Sequence, residues 1–155
     1  MKKKIIILIC ILLPILTIAI YFYNIGYYAF ENHELRLYRP DNTKTIIYHE
    51  GIDRIAFQIM EYNSRDIEKI IKQDFKKINV EELNKIYEKA IEEDMFRYYL
   101  DEDEKQAFLA NFDKEKLFNT TNYYLFYEDT EEPVYEFVLF IIDIKENKLY
   151  FIVSA

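Results

Sequence analysis

The chain has 155 residues, 28 acidic and 20 basic side chains and a net charge of −8, with one cysteine, two glycines and no tryptophan. Every acid lies beyond residue 30, against 17 of the lysines and arginines, so the last 125 residues carry a net charge near −11. That excludes attraction to nucleic acid or to anionic lipid, and its simplest use is solubility.

The first thirty residues differ in kind. Lys2, Lys3 and Lys4 are followed by no charge until Glu31, and Ile5 to Tyr23 is almost wholly apolar. As a helix this run spans roughly 28 Å, matching a bilayer core of about 30 Å. Pro14 predicts a kink of the kind membrane helices tolerate. Tyr21, Phe22, Tyr23, Tyr27 and Tyr28 suit the headgroup level. Three lysines before the span and none after it until Arg36 place the N-terminus in the cytoplasm and the C-terminal domain outside. A cleaved signal needs small residues at its cut site, but Ile25 precedes Gly26, and Tyr27 and Tyr28 precede Ala29. A lipid anchor at Cys10 is opposed by the bulky Ile9, and a buried core helix by the lysine tip. The chain therefore divides into a cytoplasmic tip and transmembrane anchor over 1–30, a juxtamembrane connector over 31–44, and an extracytoplasmic domain over 45–155. The membrane is its first expected partner.

That domain has enough residues for one core and not two. Its only possible thiol, Cys10, lies in the apolar span, so stability rests on the core rather than on a disulfide. Leu35, Leu37 and then Arg39-Pro40-Asp41-Asn42 predict a short strand and a turn. Thr45 to His49 is β-branched and aromatic, and Ile55, Phe57 and Ile59 alternate with their neighbours. Both read as strands, although Ile52, Ile55 and Ile59 also fit a helix.

The middle reads as helical. Asn63 or Ser64 caps a helix with Ile67, Ile70, Ile71 and Phe75 on one face. Asn79 with Glu82 opens a second, whose apolar face is Val80, Leu83, Ile86, Tyr87, Ala90, Ile91, Met95 and Tyr98. Asp101 caps a third, carrying Ala107, Phe108 and Phe112. Tyr123–Tyr127, Val134–Ile144 and Leu149–Val153 return to strand character, with hairpin loops at Glu128–Pro133 and Lys145–Asn147. The run Phe137–Ile142 is apolar at every position, which implies a central strand buried on both faces. The fold class is α+β, an antiparallel sheet packed with about three helices.

The run "RIAFQIMEYNSRDIEKII", a helical middle, and "YYLFYED…FVLFIIDIKENKLYF" together resemble small uncharacterised membrane-tethered or lipid-anchored proteins of Gram-positive bacteria. The resemblance covers most of residues 45–155. It implies a final hairpin closing a sheet outside the membrane, and no activity. The abundance of Ile, Lys, Asn, Tyr and Phe resembles the usage of an AT-rich bacterial genome, in which the sequon at Asn119 carries no meaning.

Scarcity excludes much chemistry. Gly26 and Gly51 cannot build a phosphate loop or a dinucleotide fingerprint. Ser64 and Ser154 lie in no nucleophile elbow. His49-Glu50 begins a zinc motif that Asp53 fails to complete. Asp101-Glu102-Asp103-Glu104 lacks the glycine and the final glutamate of a calcium loop, and reads as an acidic helix start. No spacing singles out a carboxylate pair for glycoside hydrolysis. No catalytic residue, metal ligand or cofactor site is assigned, and no cofactor is expected. The one positive signal is Tyr123, Tyr124, Phe126 and Tyr127 beside an acidic loop. It is a candidate partner surface for a protein or the cell wall, weighed against the commoner fate of such rings in a core. The leading expectation is a non-enzymatic binding or regulatory module at the cell surface. The alternatives are a metal- or carboxylate-dependent surface enzyme and a membrane-bound immunity-type protein.

Overall fold

The structure is a computed structural model that describes residues 25–30, 33–50, 54–129 and 136–154. The span expected over Ile5–Tyr23 lies outside them. Among the described residues no helix is long and apolar enough to cross a membrane. The chain forms two units, dividing after Arg39.

In the first unit, β1 (Ile25–Phe30) and β2 (His33–Tyr38) pair antiparallel, from Ile25 opposite Tyr38 to Phe30 opposite His33. The strand expected around Leu35 and Leu37 is β2, and both leucines are buried. Its partner β1 was not anticipated, because Ile25–Phe30 reads as the tail of the apolar run.

The second unit is α+β. Its strands are β3 (Asn42–His49), β4 (Ile55–Glu61), β5 (Lys76–Lys77), β6 (Tyr123–Asp129), β7 (Glu136–Asp143) and β8 (Lys148–Ser154). They form one antiparallel sheet in the order β3-β4-β8-β7-β6-β5. As the apolar run requires, β7 is central, paired with β8 on one side and β6 on the other, and buried on both faces from Phe137 to Asp143. The edge strand β3 carries a bulge between Thr45 and Ile47, which interrupts its ladder and blunts it as a template for pairing.

Four helical runs occur among the described residues, where about three were expected. The first, α1 (Ser64–Ile71), is capped by Asn63, whose side chain accepts the Asp66 N–H at 3.0 Å. It stops at Ile71, short of the expected Phe75. The chain then turns through Gln73 and enters β5, where Lys76 and Lys77 pair with Tyr124 and Tyr123. The second run opens at Asn79, which accepts from Glu81 and Glu82 N–H groups. It comprises α2 (Val80–Ile86), a π-helical stretch over Tyr87–Met95 and α3 (Phe96–Tyr98). In the wider π-helical turn, Tyr87, Ile91 and Met95 recur every four residues and all three are buried. Val80 and Tyr98, expected on that apolar face, are exposed at its two ends. The third, α4 (Glu102–Asn111), carries the full capping box of Asp101 and Glu104. The additional α5 (Lys114–Leu117) is a single turn capped by Asp113.

The helices after residue 79 cover one face of the sheet. Phe57, Leu139 and Ile152, neighbours across β4, β7 and β8, pack with Leu83, Tyr87, Ile91, Met95 and Phe108 in one core. Phe108 lies 4.6 Å from Phe57 and 5.1 Å from Phe112, ring centre to ring centre. On the opposite face Phe75, just beyond α1, meets Phe140 edge-on at 6.2 Å, and Phe140 stacks on Phe151 at 5.1 Å.

Candidate functional site

Strand alternation sets what the helix-covered face presents at each level. Phe57, Ile152 and Leu139 form an apolar row. Two residues further along each strand, Lys44, Ile59, Tyr150 and Ile141 stand side by side. Two further on, Asn42, Glu61, Lys148 and Asp143 complete a row that is wholly polar. The helix α4 ends before this last row, stopping at Asn111, and the chain turns at Phe112 and Asp113 into α5, whose Lys116 reaches Asp143 at one end of the row. The overhanging corner and the uncovered sheet enclose a groove of about 360 Å³. Ile59 and Tyr150 form its floor, Leu109, Asn111 and Asp113 its helical wall, and Lys44, Lys116 and Lys148 approach from three sides. That volume falls in the range of small-ligand sites.

Buried Asn122 fixes the corner to the sheet. Its amide donates to the Leu117 carbonyl at 3.1 Å, and its oxygen accepts the Ile144 N–H at 3.2 Å. The β7–β8 turn is itself held by Asp143, whose Oδ1 accepts the N–H groups of Lys145 and Glu146. Asn147 takes a positive φ of 53°, a conformation asparagine adopts more readily than most residues. The Tyr62 N–H donates to the Asn147 carbonyl at 3.0 Å, which ties the end of β4 to the same turn.

Most charges in the groove neutralise one another. Lys116 Nζ bonds Glu146 Oε1 and lies 3.3 Å from the buried Asp143 carboxylate. Lys148 Nζ lies 3.1 Å from Glu146 Oε2 and 3.6 Å from Glu61. Clamped between the two ammonium groups, the Glu146 carboxyl is lowered to about 2. Glu146 in turn holds both lysine amines above their ordinary value. Burial raises the Tyr150 phenol, so it stays protonated as a donor. Two charges stand outside this network. Lys44 Nζ meets the neutral Asn111 amide oxygen at 2.7 Å. Asp113 accepts only the backbone N–H of Lys116, at 3.1 Å.

Of the residues singled out in the sequence, Tyr123, Tyr124, Phe126 and Tyr127 all lie on β6 but divide between its two faces. Tyr124 belongs to the helix-side core and Phe126 packs against it, while Tyr123 and Tyr127 alternate to the other face and are half-buried. Burial and the Glu82 carboxylate hold the Tyr124 phenol well above its ordinary value. The loop beside them, residues 130–135, lies outside the described residues, and Glu128 pairs with Lys89 at 2.7 Å.

His49 ends β3 as expected and meets Glu104 Oε1 at 2.5 Å, while Glu104 Oε2 accepts the Asp101 N–H. A carboxylate holding an imidazole is the first half of an acid–base relay. Among the described residues, no hydroxyl or thiol is hydrogen-bonded to this pair to serve as a nucleophile. Its evident work is to tie the sheet edge to α4. Asp101–Glu104 is the helix start that its acidity predicts. Among the described residues no three His, Cys, Asp or Glu side chains converge to hold a metal ion.

The groove was not legible in the sequence. Its residues come from three strands, a turn and a helix corner, and the local signal is only that each strand ends in polar residues, as most strands do. No protein-family model matches the chain, and no curated protein or solved structure matches it either.

Proposed function

We propose that this protein is a membrane-tethered extracytoplasmic module that binds a ligand or partner at the cell surface and regulates through that binding, without catalysing a reaction. The observation that carries the reading is the groove at the polar end of the sheet. It is concave, of ligand size, and built on elements whose backbone is held by Asn122 and the β7–β8 turn. The tether rests on Lys2 to Lys4 and the charge-free run behind them. The strong negative charge of the outer residues suits a module standing away from an anionic bilayer surface.

External protease added to intact protoplasts should digest the C-terminal domain, while a cytoplasmic control protein survives. Complete protection of the domain until the membrane is permeabilised would overturn the orientation.

A further inference from the structure

Two charged side chains that line the groove stand outside its ion pairs, and they are of opposite sign. Lys116, Lys148, Glu61, Asp143 and Glu146 form a closed set of ion pairs. Lys44, rooted on β3, reaches the neutral amide oxygen of Asn111 at the end of α4 and forms no ion pair among the described residues. Asp113, on the helix wall, bonds only a backbone N–H. No ion pair joins Lys44 and Asp113, although both line the same groove. The same groove is lined by the apolar surface of Ile59, Tyr150 and the half-exposed Leu109.

We infer that the groove is a binding site for a small zwitterion, an amino acid or dipeptide. Its free carboxylate meets Lys44, its free ammonium meets Asp113, and its side chain lies on Ile59, Tyr150 and Leu109. The chemistry is selective because the groove offers one charge of each sign that lacks an ion-pair partner among the described residues. A ligand carrying a single charge would leave one of these two groups unmatched, and a neutral ligand would leave both. Asn42 and Asn111 add amide groups at the rim, able to donate to a carboxylate or accept from an ammonium. A volume of about 360 Å³ is enough for a dipeptide. This inference rests on the groove being the binding surface of the module. It does not rest on the orientation in the membrane, so its failure would leave the protease result standing.

The full chain, purified in detergent micelles, should be titrated with alanyl-leucine, N-acetyl-alanyl-leucine and alanyl-leucine amide by calorimetry and ligand-observed NMR. The free dipeptide should bind saturably, and blocking either terminus should weaken binding by about tenfold or more, as expected for losing a hydrogen bond to a charged group. Lys44→Gln should abolish the preference for the free over the amidated C-terminus and keep the preference for the free amine. Asp113→Asn should do the converse. Asparagine caps a helix as well as aspartate does, so α5 keeps its start and an unchanged thermal melt verifies the fold. Absence of saturable binding would overturn the inference, as would equal binding of free and blocked dipeptides, or variants that keep the parent's preferences.

Discussion

One face of the six-stranded sheet is built of two materials. At its middle Phe57, Ile152 and Leu139 lie side by side under the helices, all fully buried. Four residues along the same strands, Glu61, Lys148 and Asp143 lie side by side, continued by Asn42 on β3, and only the single turn of α5 reaches them, through Lys116 at Asp143. The backbone ladder across β4, β8 and β7 is continuous through both rows, so hydrogen bonding does not distinguish them there. What distinguishes them is the length of the lid. The helix α4 begins at the Asp101 cap and ends at Asn111, short of the last polar row of the strands, whose Asp143 end is met by Lys116 of α5. Strand propensity thus holds the groove's frame in place, while side-chain burial sets the stability of the domain some 13 Å away along the strand, at about 3.3 Å per residue.

The largest effect should come from the apolar row. The Phe57 ring is fully buried and packs on Phe108 at 4.6 Å and on Phe112 at 6.2 Å. Phe57→Ala removes that contact and leaves a cavity between sheet and helices, at a cost of about 3–5 kcal/mol in urea melts. A loss below about 1 kcal/mol would mean that the sheet does not depend on this layer.

A smaller effect should come from the lid's own start. Asp101 accepts the Glu104 N–H at 2.9 Å, and Glu104 returns the bond to the Asp101 N–H at 3.1 Å. Glu104 also holds His49 on the edge strand, so this cap orients α4 against the sheet. Asp101→Ala should cost about 1 kcal/mol in the same melts, while Asp101→Asn, which keeps a capping oxygen, should cost less. Equal losses for the two variants would show that the charge matters and the cap does not.

Legibility in the sequence followed the same division. The apolar row was readable because period and composition act locally. Six consecutive apolar residues at Phe137–Ile142 require burial on both faces, and β7 is central. The caps at Asn63, Asn79 and Asp101 were readable because a capping side chain reaches only two or three residues ahead. The π-helical stretch was not, since spacings of four fit either helix and only the packing around Tyr87 and Met95 decides between them. The end of α1 was misplaced because Phe75 fits the helical face, and its real partner, Phe140, is 65 residues away in sequence. The groove was least legible of all. Lys44, Lys116 and Lys148 belong to three separate elements, and nothing near any one of them predicts the others.

The smallest effects should come from the polar row, where they test whether its ion pairs are a stabilising device. Lys148 bridges Glu146 and Glu61 with its side chain partly open to solvent, so Lys148→Ala should change stability by less than about 0.5 kcal/mol. The Glu146 carboxyl is better placed to report on the network, because two lysines lower it from 4.5 to about 2. A carboxyl held below its unfolded value contributes stability that is fully present above that unfolded value and is lost as pH falls through the folded one. The difference in stability between the parent and Glu146→Gln should therefore be constant at neutral pH, begin to shrink near pH 4.5 and vanish near pH 2. High salt should flatten the same curve, since the carboxylate is exposed and its attraction to the lysines is screened. A difference curve flat from pH 7 to pH 2 at low salt would show that Lys116 and Lys148 do not hold Glu146 in solution. Lys116 would then keep only Asp143, and Lys148 only Glu61, as carboxylate partners. Each lysine would face one carboxylate rather than two, so this small stability measurement also bears on how much positive charge the groove presents to a ligand.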